Sequence, residues 1–134
     1  MNTDDVIEWL QIADDDFDSA QILNKAVRKH NEVICYLCAQ AAEKYLKGYL
    51  IYYDIIPRKT HNLLSLNELC AEKDNDFQKV LTLSDYLNKF ANDVRYPHKY
   101  DVTADDANLA ISTVEKIRSI KPMVDLRNSV NTST

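Results

Sequence analysis

Two short stretches hold the residue types able to do chemistry. One is Arg58, Lys59, Thr60 and His61, directly after Pro57; the other is Arg95, Tyr96, Pro97, His98, Lys99 and Tyr100. Arg95 offers a planar fork that grips two phosphate oxygens at once. Lys99 adds charge, and Tyr96 and Tyr100 supply ring faces for stacking and hydroxyls for hydrogen bonds. Pro97 fixes the backbone between them, which lowers the cost of ordering a loop around a ligand. His98 titrates near neutrality when unperturbed, so it can take or return a proton, while Arg95 can stabilise a crowded phosphate. The expected site is therefore a phosphate-holding end of the molecule. Arg95, Tyr96, Lys99 and Tyr100 come from one loop and Arg58, Lys59 and His61 from another, with Arg95 and His98 as the candidate catalytic pair. A plainer expectation stands beside it: 95–97 as a helix stop with His98 exposed, and His61 capping or packing the start of the next helix.

These loops need a scaffold, and the chain supplies helices. In the stretch CYLCAQAAEKYLKGYLIYY, Gln40, Glu43, Lys44 and Lys47 fall within an arc of roughly 100°. Ile34, Cys38, Ala41, Tyr45, Tyr49 and Tyr52 recur at steps of three and four elsewhere on the same helix. So narrow a polar stripe predicts a central helix, over about 32–54, covered by neighbours on most of its girth. Lys44 and Lys47 are expected on a solvated stripe, with Glu43 supporting Lys47 four residues on.

Val6, Leu10, Ala13, Phe17 and Ala20 predict a first helix to about residue 27, with Thr3 as its cap. Leu63, Leu66, Leu69 and Cys70 predict a short third helix. Phe77, Val80, Leu81, Leu87 and Phe90 predict a fourth, ending near Arg95 because Pro97 disfavours helical geometry at Tyr96. Thr103 opens a fifth as N-cap, with Asp105 and Asp106 in its first turn, and Pro122 is expected to end it. The expectation is an all-α, up-and-down bundle of about five helices over residues 1–122. Residues 123–134 are expected to form a tail without fixed structure. In such a bundle the loops after helices two and four emerge at the same end.

The 134 residues suit one domain, and one glycine with three prolines leaves little room for hairpins. A net charge of -5 argues against a stand-alone module that grips nucleic acid along its phosphates. Acids crowd the first helix, where they fit a solvated face or a surface for a basic partner. Three cysteines make no disulfide framework, and Cys35-x-x-Cys38 lacks the second pair that zinc would need. No metal or cofactor is expected. The acidic N-terminus is unlike a secretory signal and no apolar run is long enough to span a bilayer, so a cytoplasmic protein without membrane contact is expected.

Three motifs occur in order: Tyr36-x-x-Ala-Gln40-Ala-Ala-Glu43-Lys44-x-Leu46-Lys47, then Pro57-x-x-Thr60-His61-x-Leu63, then Arg95-Tyr96-Pro97. Together they resemble the HEPN domain over roughly residues 4–120. The resemblance implies a helical bundle that forms a homodimer and pairs with a small nucleotidyltransferase, in a toxin–antitoxin-like system. It also implies either of two activities: binding of nucleotide or RNA, or metal-independent RNA cleavage. Nuclease members place four to six residues between arginine and histidine, whereas Tyr96 and Pro97 alone separate Arg95 from His98. His98-x-Tyr100 resembles the motif end whose tyrosine is adenylylated by the companion, which makes Tyr100 the implied acceptor. The short spacing and acidic balance favour a binding and pairing protein over a ribonuclease.

Overall fold

The computed structural model describes residues 3–57, 60–92 and 101–130. The described residues form six α-helices and one 3-10 segment and contain no strand. Helices α1 (Thr3–Asn24) and α2 (Asn31–Tyr52) form an antiparallel hairpin joined by a short basic turn. The register is visible in the side chains: Trp9 and Leu10 lie against Gly48, and Asp14 bonds Tyr45. A Cβ built on Gly48 would sit 3.4 Å from that of Trp9, so the small residue lets the two helices approach closely.

Helix α2 is the core of the molecule, as its pattern predicts. Ile34, Cys35, Cys38, Ala41, Ala42, Tyr45, Leu46, Tyr49 and Leu50 are all buried. The helix closes through Asp54, whose φ of 56° puts it in the left-handed region, while Ile55 N–H donates to Leu50 O at 2.9 Å. Helix α3 (Leu63–Lys73) starts at an Asn62 cap whose side chain accepts from Ser65 N. Helix α5 (Ala104–Ser119) starts as expected at Thr103, which forms a reciprocal capping box with Asp106. Its predicted core residues Ala107, Ala110, Ile111, Val114 and Ile117 are buried.

Three expectations about helix ends change. The fourth helix does not run from 77 to 95. Asn75–Val80 is a 3-10 segment, and α4 proper is Leu81–Asn88. Asn88 is the last residue of α4, and its side chain reaches across to the start of α3: Oδ1 accepts Leu63 N–H at 2.9 Å, and Nδ2 donates to Asn62 at 3.3 Å. Pro122 does not end the helical chain. It sits in the first turn of a sixth helix, α6 (Lys121–Val130), where a missing N–H costs nothing because the first turn has no intrahelical acceptor for it. Most of the expected tail is thus folded, with Met123, Leu126 and Val130 buried. Residues 131–134 lie outside the described residues. Finally, α1 ends at Asn24, three residues before the predicted position.

Among the described residues, no helix is long and apolar enough to cross a membrane.

Candidate functional site

The polar stripe of α2 is where the structure departs most from expectation. Glu43, expected on a solvated face, has a side chain only 3% exposed. A buried carboxylate is costly unless it is paired and hydrogen-bonded. Both of its oxygens are engaged: Oε2 accepts from Lys47 Nζ at 3.0 Å, and Oε1 lies 2.8 Å from His61 Nδ1. Lys47 is itself largely covered, 12% exposed, and its ammonium lies 5.8 Å from the centre of the Trp9 ring. A polar chain thus runs from α1 through α2 to the loop before α3: Trp9, Lys47, Glu43, His61.

His61 is not the cap of α3; the neighbouring Asn62 is. It stands 67% exposed at the edge of a cleft of about 410 Å³ lined by Thr60, His61, Asn62, Asn88 and Asn92. Among the described residues the lining is amide, hydroxyl and imidazole, with no carboxylate at the surface. Thr60 Oγ1 accepts from Asn62 N, and the Asn62–Asn88 bond ties the cleft floor to α4. This wall offers hydrogen-bond donors and acceptors, with the His61 ring at its edge.

Of the residues picked out from the sequence, the structure describes His61. Arg58, Lys59, Arg95, Tyr96, His98, Lys99 and Tyr100 lie outside the described residues, so the pairing of Arg95 with His98 and the Tyr100 acceptor do too. The described residues next to them are informative. Asn92, just before 93–100, lines the His61 cleft. Val102, just after, lines a second pocket of about 230 Å³ with the basic turn of Arg28, Lys29 and His30. The sequence signal for that turn is two bases and a histidine in three consecutive residues.

Sequence reading also missed a second polar hub. Asp14, placed among the solvated acids, accepts two hydrogen bonds from Arg127 of α6, at 2.9 and 2.7 Å, and a third from the Tyr45 hydroxyl of α2. Arg118 of α5 lies 3.8 Å away and stacks its guanidinium over Phe17 and Tyr45. Burial alone would raise the Asp14 carboxyl, but the bonds from Arg127 and Tyr45 and the two guanidinium charges outweigh it and hold the group below its ordinary value of 3.8. Burial, then the bond to Asp14, raises Tyr45. No heptad or spacing rule links positions 14, 45 and 127.

The three cysteines are buried free thiols. Burial pushes Cys35 up to about 12 and raises Cys38 and Cys70 as well, so none is poised as a nucleophile. Among the described residues no three His, Cys, Asp or Glu side chains converge as a metal site.

Comparison with known proteins follows the same lines. The family model described as HEPN domain matches residues 6–124. The crystal structure of ST0689, an archaeal HEPN homologue, superposes with a TM-score of 0.67 at 23% identity, covering 93% of this chain and 97% of that one. The crystal structure of TT1696 from Thermus thermophilus gives 0.72 at 20% identity, covering 92% and 96%. These two share the fold. No curated protein is matched by the chain.

Proposed function

Because the chain belongs to the HEPN domain family, we propose that it is a dimerising helical partner of a small nucleotidyltransferase, in a toxin–antitoxin-like pair, and that it holds nucleotide or RNA phosphate. The phosphate is held by Arg95, Tyr96, Lys99 and Tyr100, and the site is completed by Arg58, Lys59 and His61, with Tyr100 as the residue the companion would adenylylate. The observation carrying this reading is the His61 cleft. Thr60 and His61 from one candidate loop and Asn92, three residues before Arg95, line the same depression. The acidic surface of α1 is left for a basic face of the partner. A symmetric dimer is the common closed form for soluble homo-oligomers, and light scattering should return about twice the 15.4 kDa chain mass at micromolar concentration.

The test compares binding of nucleotides and short RNA by the parent, Arg95→Ala and Lys116→Ala, the last on the exposed side of α5. Loss of one bidentate phosphate contact should weaken binding by Arg95→Ala about tenfold or more, while Lys116→Ala binds as the parent does. Equal binding by all three would remove the loop from the mechanism. RNA cleavage that disappears in His98→Ala would replace this reading with the ribonuclease one.

A further inference from the structure

We propose that Glu43 and His61 form a dyad in which the buried carboxylate holds the imidazole by Nδ1, so that Nε2 is presented to the cleft as the acceptor for a ribose hydroxyl. The ligand class, a ribonucleotide, rests on the reading above; the dyad itself rests on geometry alone. An ionised carboxylate only accepts hydrogen bonds. With Oε1 of Glu43 at 2.8 Å, the neutral imidazole must carry its proton on Nδ1, and Nε2 is left with a lone pair. Glu43 is the positioning residue and His61 the group that touches ligand.

The arrangement differs from an ordinary surface ion pair in its asymmetry. The carboxylate is 3% exposed and braced from its other oxygen by Lys47, while the ring is 67% exposed. A fixed partner beneath an open ring sets the tautomer and orientation without closing off the second nitrogen. The neighbours of the ring in the cleft are Asn62, Asn88, Asn92 and Thr60, which can pair with base edges or sugar oxygens but cannot change charge. Among the described residues of the cleft, the directional acceptor whose proton state is set by a partner is therefore Nε2. A 2′-hydroxyl is the donor on a ribonucleotide that a deoxynucleotide lacks.

Long-range nitrogen–proton NMR of the His61 ring reads the tautomer directly in the parent, where Nδ1–H should dominate. In Glu43→Gln the Nε2–H form should grow, a change that a purely structural role for Glu43 would not produce. Because Glu43 is buried and its variant risks unfolding, His61→Ala on the exposed loop gives a second arm. Adenosine monophosphate should bind the parent about tenfold more tightly than its 2′-deoxy form, and the preference should vanish in His61→Ala. An Nε2–H ring in the parent, or an equal affinity for the two nucleotides there, overturns the dyad. Failure of the parent to bind adenosine monophosphate overturns the ligand class. Unchanged binding in Arg95→Ala with the ribose preference intact removes the phosphate loop and leaves the dyad standing.

Discussion

Replacing Ala41 with glutamate should unfold the protein under conditions where the parent is stable, at a cost of at least about 4 kcal/mol. Ala41 is fully buried in α2. It lies seven residues before Gly48, hence on nearly the same face of the helix, the face that α1 approaches closely. A glutamate there adds volume where the backbones leave none, which by itself costs about 1–3 kcal/mol. It also buries a carboxylate in a site not built around a cation, unlike that of Glu43 two residues on. Thermal denaturation should show a midpoint lowered by roughly 15 °C, or no cooperative transition. A parent-like melt would mean that α2 is not the centre of the bundle.

The second large effect belongs to Asp14. Asp14→Asn keeps the shape of the side chain but removes the charge that gathers Arg127, Tyr45 and Arg118. Breaking a fully buried ion pair costs about 3–5 kcal/mol; Asp14 and Arg127 each keep 32% exposure, so about 2–3 kcal/mol is expected at pH 7. The pH dependence has a definite sign. The folded carboxyl sits below its ordinary value, so its contribution is complete above 3.8 and is lost as pH falls through the lowered folded value. Urea unfolding of parent and variant should therefore differ most near neutrality and converge in strong acid. A difference that stays constant down to strongly acidic pH would show that shape rather than charge is what Asp14 contributes.

These two positions also mark how far the sequence could be read. Ala41 was visible because helical periodicity reports local geometry: residues three and four apart share a face whatever surrounds them. The same logic located Thr103 as a cap and the apolar side of α5. It failed where a long-range partner decides the outcome. Glu43 looks solvated by spacing, and becomes buried because His61 and Lys47 neutralise it. Helix α4 stops at Asn88, whose side-chain amide bonds Leu63 and Asn62, about 25 residues away in sequence. Pro122 reads as a stop, yet begins α6, because the apolar side of 123–130 has a core to pack against. In each case a distant partner overrode a sound local rule. The family motifs at 36–47 and 57–63 did point to the Glu43 and His61 positions, although nothing in their spacing shows that the two side chains touch.

The Asp14 hub bears on the order in which the chain can fold. Tyr45 is 31 residues from Asp14, so the hairpin of α1 and α2 can form that bond soon after the second helix exists. Arg127 is 113 residues away. Contacts of such long separation carry a large loop-closure cost until the intervening helices have condensed and shortened the path. During synthesis the α1–α2 hairpin is thus the early unit, and its half-satisfied carboxylate waits beside a core still lacking Met123, Leu126 and Val130. The last helix acts as a latch: it brings the guanidinium to Asp14, and partial chains that stop short of it expose the apolar strip that α6 covers.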